Sequence, residues 1–185
     1  MSPEQLLRAY FRAKDENRPH LLVDVFAGDA RLEVLDRSGQ IGFPGVTIGR
    51  EGIADVLVRR FNQSYENIYS FYLARPVPTA TAFACDWLVG MTEKATMKVR
   101  VGCGRYEWTF QGSPDACVTR LVITIEQMVV LAPTCTRNVL DALGGLDYPW
   151  TSAGEASRAL SLDELGPVRE YIARHVGCAG LRAGD

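Results

Sequence analysis

The chain has 185 residues, of which 47% are hydrophobic and 23% are charged, so it has enough apolar side chains to form a folded core. Its net charge at pH 7 is −2 and its 20 lysines and arginines form no run, which argues against nucleic acid or an anionic membrane as a partner. The longest apolar stretches are too short to span a bilayer and no signal peptide is recognisable, so we predict a cytoplasmic protein.

The N-terminal third is predicted to be mainly helical. Ser2 and Gln5 form a capping box around Pro3, and Leu6, Leu7, Tyr10 and Phe11 follow at spacings of three and four, which is typical of an amphipathic helix. The other elements predicted here are a short helix over Leu21–Phe26 ended by Gly28, strands over Ala30–Leu35 and Gln40–Phe43, and a helix that starts after Gly49 and carries Phe61.

From Tyr65 onward the apolar residues recur with a period of two, which indicates strands. The predicted strands are Tyr65–Leu73, Thr81–Met91, Lys98–Gln111 and Cys117–Leu131, with a turn at Gly112–Asp115. Because the last three are long and joined by short turns, they predict an antiparallel meander. Helices followed by long strands indicate an α+β fold, with the helices packed on one face of a strongly curved, mainly antiparallel sheet.

The C-terminal part is predicted to be a separate appendage. We divide the chain into a domain of residues 1–150 and a helical tail of residues 151–185. A short helix is expected at Asn138–Leu143, and another begins near Pro167 and carries Val168, Ile172 and Val176. The tail is expected to dock on the domain or on a second subunit.

The cysteines and histidines are spaced too widely for a metal site or a redox motif. The five cysteines include no C-x-x-C pair, and only two histidines are present. Gly102-Cys103-Gly104 lacks the third glycine of a dinucleotide-binding loop, and a bend or bulge explains its glycines better. We therefore expect no metal and no organic cofactor.

Several short motifs resemble the nuclear-transport-factor-2-like (NTF2-like) superfamily, over roughly Pro3 to Leu131. They are Tyr10-Phe11, the run Phe26–Ala30 leading into a strand, and the helix start at Gly49–Ile53. This superfamily includes ketosteroid isomerases, SnoaL-like polyketide cyclases, scytalone dehydratase and non-catalytic modules. The resemblance implies a cone-shaped, cystatin-like domain that encloses a mostly apolar pocket and dimerises through the other face of its sheet.

The resemblance also suggests candidate catalytic residues. Tyr10 matches the tyrosine that holds the oxyanion in the isomerases, and Tyr106 falls near the second oxyanion donor. Ungapped counting places Val34 at the position of the general base, and Asp36 lies two residues further on the same strand face. The resemblance thus implies Asp36 as proton acceptor, with Tyr10 and Tyr106 stabilising an enolate-like oxyanion.

Aromatic and sulfur-containing side chains are candidates for a ligand-binding wall. If the strands keep the family's orientation, Trp87, Trp108 and Met91 face the concave side of the sheet, and Phe61 faces it from the third helix. Ordinary core packing is the alternative explanation for all four.

Two functional hypotheses follow from the resemblance. One is a SnoaL-like protein that binds a small apolar, oxygenated ligand and acts as an isomerase, dehydratase or cyclase by acid–base chemistry. The other is a non-catalytic dimerising or ligand-sensing module, and the sequence leaves open whether the protein is an enzyme. We expect a homodimer, with Arg120, Thr124, Glu126 and Met128 on the outer face of the sheet.

Overall fold

A computed structural model describes residues 1–112 and 116–175 of the chain. The elements are α1 (Pro3–Asp15), β1 (Phe26–Asp36), β2 (Val46–Ile48), α2 (Arg50–Ala54), α3 (Phe61–Ser64), β3 (Tyr65–Tyr72), β4 (Ala82–Glu93), β5 (Val99–Gln111), β6 (Cys117–Leu131), α4 (Thr136–Gly144), α5 (Ala153–Ala159) and α6 (Gly166–His175). A π-helical stretch, Asp55–Arg60, joins α2 to α3, and short 3₁₀ helices lie at Pro19–Asp24, Pro133–Cys135 and Asp163–Leu165. Residues 113–115 of the predicted turn, and Val176, lie outside the described residues. Among the described residues, 1–112 and 116–175, no helix has the length and apolar character needed to cross a membrane.

Helix α1 begins as its sequence predicts. The Ser2 hydroxyl accepts a hydrogen bond from the backbone N–H of Gln5, and the Gln5 side chain accepts one from the backbone N–H of Ser2. These reciprocal bonds satisfy backbone groups that the first turn leaves without helical partners. The apolar side of the helix, including Tyr10 and Phe11, is fully buried against the sheet.

The sheet has six strands in the order β2-β1-β6-β5-β4-β3. Strands β4 to β6 form the predicted antiparallel meander, and β6 has the predicted bounds. Strand β3 extends the meander by pairing antiparallel with β4. Strand β1 pairs with β6 in parallel and with β2 in antiparallel orientation. The predicted α+β fold with a curved, mainly antiparallel sheet is confirmed.

Two of the short N-terminal elements differ from the prediction. The second helix ends at Asp24 and Gly28 lies inside β1, because Phe26 already pairs with Val118 of β6. The strand expected at residues 40–43 is absent from the described structure, and β1 instead pairs with β2.

Apolar side chains form two cores, one on each face of the sheet. The inner core lies between the sheet and helices α1, α2 and α3, and it contains the inward-facing residues of all the long strands. The outer core lies between β3–β6 and the C-terminal helices α4, α5 and α6. The sequence analysis allowed the tail to dock either on the domain or on a second subunit. The structure places its helices on the domain. Helix α4 precedes residue 150 and helices α5 and α6 follow it, and all three pack in the outer core. The division of the chain into two parts at residue 150 therefore stays a prediction.

A β-bulge at Glu126 changes which residues of β6 face inward. Ile125 pairs with Gly104 and Gln127 pairs with Cys103, so Glu126 is the extra residue. Beyond the bulge the alternation is reversed, and Met128 belongs to the inner core. Its expected place on the outer face is therefore wrong.

Gly104 stands where the predicted bulge brings two strands very close. A Cβ atom at this position would lie 1.9 Å from the carbonyl oxygen of Thr124 and 2.8 Å from Cζ2 of Trp87. A residue with a side chain would have to displace the backbone of β6, so glycine is required for this approach.

Candidate functional site

The inner core encloses a small cavity between α1, the helical segment of residues 50–64, the loop of residues 37–45 and the inner face of the sheet. We call it the inner cavity, and its volume is about 50 Å³. Its apolar lining consists of Ile41, Phe43, Leu57, Phe61, Trp87, Val89, Met91, Ile123, Ile125 and Met128. Its polar lining consists of Tyr10, Lys14, Ser70 and Tyr106. All four polar side chains can donate hydrogen bonds, and none of the described lining residues is a carboxylate.

Most of the predicted site residues meet at this cavity. Tyr10, Tyr106, Trp87, Phe61 and Met91 all line it. Trp108, in contrast to the prediction, is not among the lining residues and lies behind the two tyrosines. Its ring centroid is 5.1 Å from that of Tyr10 and 5.5 Å from that of Tyr106.

The two tyrosines meet at nearly a right angle, with ring centroids 6.4 Å apart. Burial, followed by the influence of Asp15, raises the pKa of Tyr10, and burial also raises the pKa of Tyr106 well above its ordinary value. Both rings therefore carry protonated hydroxyls at neutral pH. The two hydroxyls are close enough for a weak hydrogen bond between them to lower the pKa of Tyr10 and raise that of Tyr106. This contact does not reach an acceptable distance and angle, so the Tyr10 hydroxyl has no well-formed hydrogen bond among the described residues.

Trp87, another residue of the cavity lining, also has an unpartnered polar atom. Its side chain is 4% exposed, and its indole Nε1 has no hydrogen-bond acceptor among the described residues. Buried donors are normally satisfied by protein groups or by water. The inner cavity therefore holds donors that a bound molecule with an acceptor atom could satisfy.

Asp36, the predicted general base, lies outside the lining of the cavity. Its Oδ1 accepts hydrogen bonds from the backbone N–H groups of Ser38 and Gly39 and from the Ser38 hydroxyl, at 2.6–3.1 Å. Its Oδ2 accepts one from the backbone N–H of Ile41, at 3.0 Å. Partial burial acts to raise the pKa of Asp36, but these hydrogen bonds outweigh it and hold the pKa below its ordinary value. The carboxylate fixes the 37–45 loop, which supplies Ile41 and Phe43 to the cavity wall.

We expect the order of this loop to depend on the ionisation of Asp36. Because the pKa of Asp36 is lower in the folded chain, its contribution is complete above the unfolded value of about 3.9 and is lost as the pH falls through the folded value. Asp36→Asn should cost about 1 kcal/mol of folding free energy at pH 7, the usual value of one hydrogen bond. Denaturant titration measures this loss, and NMR relaxation measures the motion of the loop. The control is Asp29→Asn on an exposed residue, and equal stability of the two variants would contradict the role of Asp36.

A buried ion pair beside the cavity was missed by the sequence analysis: Lys14 lines the cavity, and its partner Asp15 does not. The Lys14 ammonium donates to the carboxylate of Asp15, and it donates a second hydrogen bond to Ser70 Oγ at 2.8 Å. The Ser70 hydroxyl in turn donates to Asp15 Oδ1 at 3.0 Å. The side chains of Lys14 and Asp15 are 8% and 5% exposed. The signal was present in the sequence, because Lys14 follows Tyr10 by four residues and so lies on the apolar side of α1.

The surroundings of this pair fix both partners. The Lys14 nitrogen lies 5.4 Å from the ring centroid of Phe11 and 5.1 Å from that of Phe61, within the range of cation–π attraction. Asn62 donates a hydrogen bond to the Lys14 carbonyl oxygen, and Tyr148 donates one to Asp15 Oδ2 at 3.4 Å. Burial raises the pKa of Asp15, although Lys14 and Ser70 oppose that change.

A larger hollow lies beside the inner cavity. It has a volume of about 220 Å³ and shares Ile41, Phe43 and Phe61 with the cavity wall. In the described residues, no cluster of three or more histidine, cysteine, aspartate or glutamate side chains could hold a metal ion.

Comparison of the fold with known proteins identifies its class. No family model matches the sequence, and no curated protein matches it. An NTF2-like superfamily protein from Salmonella enterica matches 65% of this chain and 85% of its own length, with a TM-score of 0.53 and 14% identity. The chain has the NTF2-like fold. The fold predicted from the sequence motifs is therefore confirmed.

Two other solved structures with the NTF2-like arrangement have more specific descriptions. A hexachlorocyclohexane dehydrochlorinase of the LinA-type3 class from Novosphingobium barchaimii matches with a TM-score of 0.52 and 15% identity, over 69% of this chain and 86% of its own. A protein with a ketosteroid isomerase-like fold from Catenulispora acidiphila, in complex with trimethylamine, matches with a TM-score of 0.50 and 17% identity, over 66% and 85%. Identities this low establish the fold alone.

Proposed function

We propose that this protein binds a small, mostly apolar molecule with a hydrogen-bond acceptor in the inner cavity. The observation that carries the proposal is the hydroxyl of Tyr10, a fully buried residue of the cavity lining, which lies near the Tyr106 hydroxyl but makes no hydrogen bond of acceptable distance and angle to any described residue. A ligand oxygen that accepts from Tyr10 and Tyr106 would satisfy it. The trimethylamine bound to the Catenulispora protein gives further support, because it is a small molecule held by the same fold.

The size of the inner cavity limits the ligand. An engineered protein cavity of roughly 150 Å³ accommodates benzene, whereas this one measures about 50 Å³. A ligand with a six-membered ring would therefore have to displace part of the wall that the cavity shares with the neighbouring hollow, which consists of Ile41, Phe43 and Phe61. The three glycines of the 37–45 loop, Gly39, Gly42 and Gly45, suit such a movement.

We favour a protein that binds its ligand and does not use Asp36 as a catalytic base. The carboxylate of Asp36 lies outside the cavity and is hydrogen-bonded to the 37–45 loop, and the described lining of the cavity has no carboxylate. This arrangement favours the ligand-sensing hypothesis over an isomerase, dehydratase or cyclase that uses Asp36 as its base. The dehydrochlorinase with this fold is a reminder that other members do catalyse reactions.

Binding of cyclohexanone tests the proposal. We expect isothermal titration calorimetry to detect it, and the NMR signal of the Trp87 indole N–H to shift while that of Trp150 stays in place. Tyr106→Phe should weaken binding about 2- to 10-fold, which corresponds to the net value of one neutral hydrogen bond. The matched control is Tyr69→Phe, since Tyr69 is not among the residues that line the cavity. Equal losses in the two variants, or shifts at Trp150 alone, would contradict the proposed site.

Assembly as a homodimer and a cytoplasmic location stay predictions. On the outer face, Arg120 pairs with Glu33 at 2.9 Å and Glu126 pairs with Arg37 at 2.9 Å, so the charged residues expected at an interface have partners within the chain. The C-terminal helices already cover the outer face of β3–β6 in part. A dimer through this face would therefore have to use β1, β2 and the exposed part of β6.

A further inference from the structure

The Lys14 ammonium is the only group with a full charge among the described side chains that line the inner cavity. An ammonium has three N–H donors. Two of them go to Asp15 and Ser70, and these are its only hydrogen-bond acceptors among the described residues. The third remains for a molecule in the cavity. The fold alone does not require this ion pair, because replacing both buried charges together with neutral side chains of similar volume is often neutral for stability.

We propose that Lys14 is the polar anchor of the ligand and that it donates its third N–H to a neutral carbonyl oxygen. This inference rests on the proposed ligand-binding function and narrows the ligand to a class: small ketones, aldehydes, esters or amides with an apolar body. Lys14 touches the ligand, whereas Asp15 and Ser70 act as positioning residues that hold the ammonium in place.

Charge balance is the reason for a neutral oxygen. Asp15 already compensates the charge of Lys14, and both side chains are almost completely buried. A ligand carboxylate would bring a second negative charge next to Asp15 in a region of low dielectric constant, where an uncompensated charge is costly. A cationic ligand would meet the ammonium itself. A carbonyl dipole needs no compensating charge and gains a hydrogen bond from a charged donor, which is stronger than one from a neutral donor.

The position of the pair lets a ligand contact both kinds of donor. Tyr10 and Lys14 are four residues apart on α1, so their backbones are about 6 Å apart along the helix axis. Ser70 extends from β3 toward the same ammonium, and Tyr148, which precedes the tail, holds the second oxygen of Asp15. The anchor is thus tied to three separate parts of the chain, which fixes its direction relative to the cavity.

The test compares three probes of similar shape in the full chain by calorimetry. Cyclohexanone has a neutral acceptor, cyclohexanecarboxylate has a charged one, and methylenecyclohexane has none. We expect the protein to bind cyclohexanone most tightly. In the double variant Lys14→Met/Asp15→Asn, which removes both charges together, cyclohexanone should bind about 10-fold more weakly, the loss expected for one charge-assisted hydrogen bond. The affinity for methylenecyclohexane should stay the same.

The single variant Asp15→Asn supplies a readout that a purely structural role would not produce. It leaves the ammonium without its counter-charge, so the preference should change from cyclohexanone toward cyclohexanecarboxylate by about 10-fold or more. Tighter binding of the carboxylate by the unmodified protein would overturn the inference. Unchanged binding of cyclohexanone by the double variant would also overturn it and leave the proposed function standing. Failure of all three probes to bind, together with failure of the smaller ketone acetone, would contradict the proposed function itself.

Discussion

Lys14→Met should lower the free energy of unfolding by about 3–5 kcal/mol, because it leaves the buried carboxylate of Asp15 without its partner. The substitution keeps the length and apolar stem of the side chain, so the lost charge dominates the effect. Asp15 is 5% exposed, so bulk water solvates its carboxylate poorly once the ammonium is gone. Denaturant titration at pH 7 measures the loss.

Two companion variants isolate the role of the charge. Adding Asp15→Asn to Lys14→Met should restore most of the stability, because no buried charge then remains. Lys98→Met is the matched control, since Lys98 is exposed and its loss should change stability by less than about 0.5 kcal/mol. Loss of stability in the double variant equal to that in Lys14→Met would contradict the ion-pair interpretation.

The stability that the Lys14→Met variant loses relative to the unmodified protein should decrease as the pH falls. Burial already raises the pKa of Asp15 in the folded chain, and removal of Lys14 takes away the main opposing influence. For a carboxyl group whose folded pKa lies above its unfolded value, the penalty is complete above the folded pKa and vanishes below the unfolded pKa, near 3.9. The gap between the variant and the unmodified protein should therefore shrink between pH 7 and pH 4. A gap independent of pH would mean that Asp15 is not the source of the loss.

Leu143→Ala should cost about 2–5 kcal/mol, because Leu143 is fully buried in the outer core. Its side chain lies directly over Gly90 of β4, where an added Cβ would come within 2.1 Å of Leu143 Cδ1. Gly90→Ala alone should therefore cost about 1–3 kcal/mol through overpacking. Thermal or denaturant unfolding measures both losses.

The combination of the two variants tests whether this contact attaches the C-terminal helices to the sheet. In the double variant Gly90→Ala/Leu143→Ala the new methyl group occupies part of the space that Leu143 left, so its loss should be smaller than the sum of the single losses. Leu35→Ala is the matched control for an exposed leucine, since Leu35 is 52% exposed, and it should have little effect. If the loss in the double variant equalled the sum of the two single losses, Leu143 of α4 would not pack against Gly90.

Most of the fold could be predicted because its signals are local. Alternating apolar residues located β3 to β6, and the capping box located the start of α1. The errors occurred where distant residues decide the structure. Gln40–Phe43 alternates like a strand, but the carboxylate of Asp36 captures backbone N–H groups of this loop, including that of Ile41, and they cannot join a sheet.

The cavity-lining residues on the strands could be predicted wherever successive side chains alternate regularly between the two faces of the sheet. Alternation placed Tyr106 and Trp87 on the same side as Tyr10, and all three line the inner cavity. It failed for Met128, because a single extra residue at Glu126 reverses the orientation of everything that follows. The spacing of Lys14 from Tyr10 indicates that Lys14 is buried, but its partner Ser70 lies 56 positions away, and no local pattern indicates that pairing.

The parallel pairing of β1 with β6 has a consequence for the order of assembly during synthesis. Arg37, just after β1, and Glu126 of β6 meet across 89 positions of the chain. At a synthesis rate of roughly 5–20 residues per second, β1 leaves the ribosome several seconds before its main partner exists. During that interval the three-residue strand β2 is its only partner in the sheet. The hairpins of β3–β6 close over short loops and should form first, whereas β1 and α1 must wait for β6. We therefore expect the inner cavity, which needs α1 on one side and β4–β6 on the other, to be among the last parts of the molecule to form.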